Sequence, residues 1–211
     1  MKEPIEPGSI DAVVFDVGGV LIDWDPRHLY RKVFLNDDRM ETFLSQVCTP
    51  AWHAQHDLGV PFSTSIPAHV MGYPEWAEEI RAWGDRFEEM WKGPVPGSVE
   101  VFAALRASDN RVPIYAATNW GSENWRLAKT LFPFLSWFDG ELVSASVGLL
   151  KPDPRFFALL VRRFQLTPSS TLYIDDNAEN VKEASVTGFA VCHFTTAHRL
   201  ARRLEDLALI P

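Results

Sequence analysis

Asp16 stands at the end of a short apolar run and is followed closely by two glycines, Gly18 and Gly19. A carboxylate in this position would project into a crevice, and the glycine backbone would let a ligand or a metal ion approach closely. These properties suit a nucleophile. The alternative from the local sequence is that Asp16 only caps a turn.

Asp175 and Asp176 are adjacent carboxylates that follow another apolar run. Two neighbouring like charges are costly unless solvent, hydrogen bonds or a cation compensates them. Mg²⁺ prefers oxygen ligands and usually keeps several of its waters, so Asp16, a nearby backbone carbonyl and one member of the pair would suffice to bind it. The alternative is a solvated loop in which one aspartate of the pair caps the helix that follows.

Two further places carry groups that suit an anion. Lys151 stands just before Asp153 and Pro154, which are typical of a helix N-cap and a first helical residue, so its amine could face a phosphate or the nucleophile. Thr118 and Asn119 end an apolar run at a helix start, where hydroxyl, amide and backbone N–H groups bind anions. The alternatives are a solvated lysine and simple helix capping.

Four apolar runs that end in polar residues predict strands. They are Ala12–Phe15, Val112–Ala117, Thr171–Ile174 and Phe189–His193. Helical periodicity is found in Val99–Ala107, Trp120–Leu131, Arg155–Phe164, Ala178–Thr187 and Ala197–Leu209. The alternation predicts an α/β fold with a doubly wound parallel sheet that is covered on both faces. Ligands of such sheets bind outside the carboxyl ends of the strands, so one site could collect Asp16 and both polar pairs.

Residues 26–94 break this alternation, because they show helical patterning without convincing strands and contain four tryptophans. We interpret them as an inserted helical module, and residues 1–25 together with 95–211 as the α/β core. Asp23–Pro26 would lead into the module, and Gly93–Gly97 has the glycine and proline content of a linker or hinge. The tryptophans most simply pack the interior of the module.

The composition is typical of a folded protein from a reducing compartment. The 211 residues are 46% hydrophobic, and the two distant cysteines indicate neither a disulfide framework nor a zinc site. A net charge of −8 with scattered basic residues argues against nucleic acid as a partner. No stretch is apolar for long enough to span a bilayer, and the first residues lack the pattern of a signal peptide. We therefore expect a cytoplasmic protein.

Four motifs, in order along the chain, resemble those of the haloacid dehalogenase superfamily of hydrolases. They are FDVGGVLID at residues 15–23, ATN at 117–119, LLKPDP around Lys151, and YIDDNAENV at 173–181. The helical insert is similar to the cap that one large subgroup places between the first two motifs. The resemblance implies a Rossmann-like core and a small phosphorylated substrate, with sugar phosphates favoured, enclosed between cap and core.

The resemblance also implies a role for each candidate residue. Asp16 would be the nucleophile, Lys151 its charge partner, Thr118 and Asn119 phosphate ligands, and Asp176 the direct Mg²⁺ ligand, assisted by Asp175 and by the backbone carbonyl of Gly18. Asp16 would attack phosphorus to give an aspartyl-phosphate, which water then hydrolyses.

Gly18 departs from the family pattern, since most phosphatases of the superfamily have an aspartate there that acts as general acid and then as base. Such help is typically worth about 10²–10⁴ in rate. Side chains that could replace it are those of Asp23, Asp25, His53, His56 and Asp57. We expect the leaving group to contact the insert near a turn at Gly59, through Trp52, His53, His56 and Asp57.

Three functions stay open at this point. A phosphatase could lack the usual acid, because sugar-phosphate phosphatases with the similar pattern Asp-Leu-Gly-Asn-Val exist in the superfamily. A metal-independent 2-haloacid dehalogenase needs no such acid, but the acidic pair argues against it. The third is a non-catalytic member that binds a phosphorylated ligand. The aromatic-rich insert could also supply a homodimer surface.

Overall fold

A computed structural model describes residues 6–211 of the chain. Its strands are β1 (Ala12–Phe15), β2 (Ile22–Trp24), β3 (Trp91–Pro94), β4 (Ile114–Thr118), β5 (Gly140–Val143), β6 (Thr171–Asp175) and β7 (Ala190–His193). Within this part of the chain, five strands form one sheet in the order β5-β4-β1-β6-β7, with every adjacent pair parallel. The predicted α/β fold is confirmed.

Helices cover the sheet and fill the insert. They are α1 (Arg27–Val33), α2 (Asp37–Gln46), α3 (Pro50–Asp57), α4 (Phe62–Gly72), α5 (Ala77–Asp85), α6 (Ser98–Ala107), α7 (Ser122–Leu131), α8 (Ser144–Val147), α9 (Pro154–Phe164), α10 (Ala178–Thr187) and α11 (Ala197–Asp206). The five helices predicted for the core correspond to α6, α7, α9, α10 and α11, with ends that agree within three residues. The side chain of Asp153 accepts the Arg155 N–H and caps α9, as predicted.

The central strand β1 is buried on both faces of the sheet. Successive strand residues point to opposite faces, so Val13 joins a hydrophobic cluster with Phe102 of α6, whereas Val14 joins a second cluster with Phe157 of α9. Burial on both faces explains why this strand is a continuous apolar run rather than an alternating one.

The register of the sheet brings the polar strand ends together. Phe15 is aligned with Ala116 of β4 on one side and with Ile174 of β6 on the other. Asp16 follows directly, and its N–H donates to the Ile174 carbonyl at 2.8 Å. The carboxyl ends of β1, β4 and β6 therefore meet at one edge of the sheet.

The sequence did not predict three of the strands. β5 is an edge strand of four residues that starts with Gly140 and Glu141, a composition without a strand signal. β2 and β3 form a separate antiparallel ribbon in which Trp24 is paired with Trp91. The expectation of a linker at Gly93–Gly97 is therefore wrong at its start, because Gly93 and Pro94 belong to β3.

Along the chain, the two ribbon strands flank the predicted helical insert, since α1 to α5 all lie between β2 and β3. Rings pack its interior, among them Tyr30 and Phe43, whose centroids are 4.9 Å apart, and the buried Trp83. The division into core and cap domains stays a prediction. Among the described residues, no helix combines the length and apolar character needed to cross a membrane.

Candidate active site

A buried lysine joins two aspartates at the strand ends. The Nζ of Lys151 lies 2.9 Å from Oδ2 of Asp16 and 2.7 Å from Oδ2 of Asp175, and all three side chains are buried. Burial favours a lower pKa for Lys151, but the two carboxylates outweigh it and raise the pKa above its usual value. Lys151 is therefore a charged partner of the nucleophile candidate rather than a solvated surface lysine.

The aspartates of the adjacent pair have different surroundings. Asp175 is fully buried and accepts hydrogen bonds from the Tyr173 hydroxyl at 2.7 Å, the Asn177 N–H at 2.8 Å and the Asn180 amide at 3.1 Å. Burial favours a higher pKa for Asp175, but Lys151 and these donors lower it overall, so the carboxylate stays ionised. The N-cap of α10 is Asn177, and neither aspartate fills that position.

Asp176 is the more exposed member of the pair. Its carboxylate lies against Gly19, which has φ +72°, and any side chain at Gly19 would collide with it. Burial, followed by the charge of Asp175, raises the pKa of Asp176. The carboxylate therefore gains from a nearby cation.

Carboxylate oxygens of Asp16, Asp175 and Asp176 lie within 4.8 Å of one another. Burial and then the neighbouring aspartates raise the pKa of Asp16, although Lys151 opposes the shift. Three carboxylates against one lysine leave uncompensated negative charge, and oxygen ligands suit a hard divalent ion. The residues fit Mg²⁺, with Asp16, Asp176 and the backbone at Gly18 next to the cavity.

The β4 end contributes Thr118 and Asn119. Thr118 is fully buried, and its hydroxyl has no hydrogen-bond partner among the described residues. The Asn119 amide donates to the Lys151 carbonyl at 2.9 Å, and its oxygen accepts the Lys151 N–H at 2.8 Å. The side chain of Asn119 therefore positions Lys151, whereas the Thr118 hydroxyl is free to bind a ligand.

A cavity of about 380 Å³ opens above these groups. We call the lining residues from the strand ends and loops of the core the floor and those from the ribbon and the insert the roof. The floor is formed by Asp16, Thr118, Asn119, Lys151 and Asp176, and the roof by Trp24, His53, Asp57, Phe87 and Trp91. Rings stack in pairs there: Trp24 on His53 with centroids 5.1 Å apart, and Trp91 on Trp120 at 5.4 Å. The floor is thus polar and the roof is largely aromatic.

The cavity wall includes two of the four insert residues expected to contact substrate, His53 and Asp57. Trp52 instead stacks on His69 with centroids 4.5 Å apart, and Nε2 of the buried His56 lies 2.6 Å from Oγ of Ser65. Residues four apart share a helix face, so His53 and Asp57 point to the cavity while Trp52 and His56 face the interior of the insert. The expectation for Trp52 and His56 is corrected accordingly.

Several lining residues were not predicted from the sequence. They are Trp24, Phe87, Trp91, Trp120, Asn124, Asn177 and Asn180. Trp120 follows Asn119 directly, so the rule that strand ends carry function could have found it. No sequence pattern marks the aromatic residues of the roof as cavity residues, because their positions depend on how the ribbon and the helices pack.

Known proteins resemble this chain over nearly its whole length. Sesquiterpene phosphatase astK of Aspergillus oryzae is 26% identical over 206 residues, which cover 94% of this chain and 97% of the relative. A haloacid dehalogenase family enzyme of Bacteroides thetaiotaomicron, solved with magnesium and inorganic phosphate, has a TM-score of 0.67 and 17% identity over 89% of this chain and 95% of its own.

The L-2-haloacid dehalogenase of Xanthobacter autotrophicus, with chloropropionic acid covalently bound, has a TM-score of 0.60 and 20% identity over 96% of this chain and 85% of its own. At such identities, the two structural likenesses establish the fold. The sequence profile of haloacid dehalogenase-like hydrolases matches residues 10–186. Taken with the strand-end aspartates and the buried lysine, this match shows that the chain belongs to the haloacid dehalogenase-like hydrolase family.

Proposed function

We propose that this hydrolase is a Mg²⁺-dependent phosphatase that cleaves a phosphate monoester through an aspartyl-phosphate on Asp16. The observation that carries the proposal is the arrangement of the floor. Asp16 contacts the buried Lys151, and the oxygens of three aspartates cluster within 4.8 Å at the base of a cavity. The phosphatase relative, which is similar over 94% of the chain, supports the same reaction.

The floor residues have different roles in the first step of the reaction. An oxygen of Asp16 attacks phosphorus, and the bond from phosphorus to the ester oxygen breaks. Lys151 neutralises the nucleophile and the phosphoryl oxygens, and the Thr118 hydroxyl donates to the phosphoryl group. Mg²⁺, when bound by Asp16, Asp176 and the Gly18 carbonyl, supplies further positive charge to the transferring group.

The acidic cluster favours a phosphatase over a 2-haloacid dehalogenase. Displacement of halide from carbon by a carboxylate requires no metal ion, and Asp176 then has no evident role beside Asp16 and Asp175. Fold likeness does not separate the two reactions, because it extends to an enzyme with bound magnesium and phosphate and to a dehalogenase. A protein that only binds a phosphorylated ligand would not need a nucleophile such as Asp16 with Lys151 as its buried charge partner.

The aromatic roof favours an apolar leaving group. Trp24, Phe87 and Trp91 line the same cavity as the floor residues, and flat rings offer a large apolar surface to a hydrocarbon. A sesquiterpene skeleton, the substrate class in the name of the fungal relative, is such a hydrocarbon. Sugar phosphates, favoured by the family resemblance, are the second class, because the amides of Asn124 and Asn180 at the cavity could bind hydroxyls.

A phosphate-release screen tests this proposal. The substrates are farnesyl monophosphate, hexose phosphates and p-nitrophenyl phosphate, each with Mg²⁺ and with a chelator. We expect Mg²⁺-dependent release that is fastest for the apolar esters and is abolished in Asp16→Asn. Asp11→Asn is the matched control, because Asp11 is exposed just before β1.

The screen can also refute each element of the proposal. Release that survives in Asp16→Asn contradicts the nucleophile, and faster release from hexose phosphates replaces the apolar substrate class with sugar phosphates. Halide release from 2-haloacids without metal would establish the dehalogenase instead. No turnover of any ester would favour a binding protein. A homodimer and a cytoplasmic location stay predictions.

A further inference from the structure

The proposed reaction lacks a proton donor at the position where the family usually has one. Gly18 carries no side chain, yet the oxygen that leaves phosphorus must be protonated to depart as an alcohol. Asp23 and Asp25, the acids closest in sequence, do not line the cavity. Asp23 lies 3.0 Å from the His28 ring, and Asp25 accepts the Arg27 N–H at 2.9 Å.

Asp57 enters the cavity from the last turn of α3. The Gly121 backbone N–H acts on its carboxylate and opposes the rise of its pKa. The carbonyl of Asp57 accepts a hydrogen bond from the Ser144 hydroxyl at 2.6 Å, and Ser144 in turn accepts the Trp120 N–H at 2.9 Å. Groups from the loop after β4 and from the start of α8 thus hold Asp57 in place over the floor.

Two glycines allow this close contact between the insert and the strand ends. A Cβ atom on Gly121 would lie 3.1 Å from the His56 carbonyl oxygen. Gly59 has φ +100°, which favours glycine, and its Cβ would lie 3.1 Å from the Ala145 carbonyl oxygen. The end of α3 is therefore docked directly on the loop that follows β4 and on α8.

We propose that Asp57 is the general acid and base that Gly18 cannot provide, an inference that rests on the phosphatase proposed above. In the first step the Asp57 carboxyl gives its proton to the ester oxygen as the bond to phosphorus breaks, which releases the alcohol and leaves a carboxylate. In the second step that carboxylate takes a proton from water, whose oxygen attacks the aspartyl-phosphate. Phosphate leaves, and both carboxyl groups return to their starting states.

The surroundings of Asp57 keep it protonated at neutral pH. Burial raises its pKa to about 8, with the charge of Asp16 adding to the shift and the Gly121 N–H and Lys151 opposing it. The titratable group that faces it on its own helix is His53, 3.7 Å away, whose pKa burial lowers to about 3. His53 is thus neutral and a poor acid, which leaves Asp57 as the donor.

Leaving groups of different basicity test this role. n-Octyl phosphate needs a proton on its leaving oxygen, whereas p-nitrophenyl phosphate does not. For Asp57→Asn we expect kcat/KM to fall about 10²–10⁴-fold on the octyl ester and by less than about tenfold on the aryl ester. The fall of wild-type kcat/KM on the octyl ester above about pH 8 should disappear in the variant. Asp38→Asn, an exposed residue of α2, is the matched control.

A second variant restores the acid at the usual position. Gly18 lies outside the left-handed region, and a Cβ there would meet Trp120 Nε1 at 3.5 Å, an ordinary contact. Gly18→Asp in the Asp57→Asn background should therefore recover activity on octyl phosphate. Equal losses on both esters, or no loss on either, would overturn the role of Asp57 while the phosphatase stands. Wild-type protein that cleaves neither ester would refute the phosphatase, and this role with it.

Discussion

The floor and the roof of the cavity are built by different means. Four floor residues lie at the carboxyl ends of parallel strands, and the fifth, the buried Lys151 from the loop between α8 and α9, binds Asp16 and Asp175. Roof residues come from the β2–β3 ribbon, from α3 and from the turn before β3, and ring stacking holds the aromatic ones. The difference indicates a separation of tasks, with attack on phosphorus at the floor and, at the roof, recognition of the leaving group by the rings and its protonation by Asp57.

Removing the lysine of the floor should have the largest effect. In Lys151→Met, Asp16 and Asp175 are left buried without their cation, which we expect to destabilise the fold by about 3–5 kcal/mol. Loss of charge stabilisation should also lower kcat by about 10²–10³. Urea unfolding and steady-state kinetics measure both effects. Lys182→Met, an exposed residue, should change neither, and a fully active Lys151→Met protein would contradict the assignment of the floor.

The metal-facing aspartate should give the next largest effect. Asp176→Asn removes a carboxylate that is paired with no lysine among residues 6–211. The Mg²⁺ concentration for half-maximal activity should therefore rise by about tenfold or more, with saturating Mg²⁺ restoring part of the rate. A Mg²⁺ titration of phosphate release measures this shift. Glu179→Gln, an exposed neighbour on α10, is the control. An unchanged Mg²⁺ requirement would remove Asp176 from the metal site.

A roof substitution should act on specificity. Trp24→Leu removes the ring that stacks on His53, and we expect kcat/KM for farnesyl monophosphate to fall roughly fivefold, equivalent to about 1 kcal/mol of aromatic contact. Activity on methyl phosphate, whose leaving group offers no hydrocarbon surface to the Trp24 ring, should not change. Trp76→Leu, whose ring packs on Phe34 and Phe43 inside the insert, is the control. Equal losses on both esters would break the division between floor and roof.

The last prediction concerns stability rather than catalysis. The pKa of Asp57 is raised to about 8 in the folded state, whereas an unfolded chain has a value of about 4. As pH rises from about 4 to about 8, the unfolded state releases this proton before the folded state does, so the contribution of Asp57 to wild-type stability falls and then levels off. The asparagine side chain of the variant does not titrate in this range. The unfolding free energy of Asp57→Asn minus that of wild type should therefore be larger at pH 8 than at pH 4, by at least about 1 kcal/mol.

Urea unfolding at the two pH values measures this difference, with Asp38→Asn as the control. The prediction fails if the gap between Asp57→Asn and wild type is the same at both pH values. Because the readout is stability, it reports the environment of Asp57 independently of any substrate.

The floor could be predicted from the sequence, and the roof only in part. Asp16, Thr118 and Asp175 each end an apolar run, and the register of a parallel sheet brings such ends together. The local sequence could not say that Asn119 would bind the Lys151 backbone or that Asn177 would cap α10. Those contacts depend on side-chain geometry that spacing does not determine.

The insert shows where periodicity stops being informative. Residues 50–57 are helical, but the face that meets the cavity follows from the docking of α3 on Gly121 and Ala145. His53 and Asp57 line the cavity. Trp52 and His56, each one position earlier on the same helix, point instead into the interior of the insert. The short ribbon strands, with glycine and proline at the end of β3, carried too weak a signal to be predicted.

The proposed reaction depends above all on the role of Asp16 as the nucleophile that receives the phosphoryl group. It is tested most directly by acid-quenching the enzyme within milliseconds of mixing with p-nitrophenyl phosphate and Mg²⁺, and then mapping phosphorylated peptides by mass spectrometry. We predict a phosphoryl group on Asp16 that forms and decays with turnover and is absent in Asp16→Asn. Product release without any phosphorylated peptide, or with the phosphoryl group on another residue, would contradict the account.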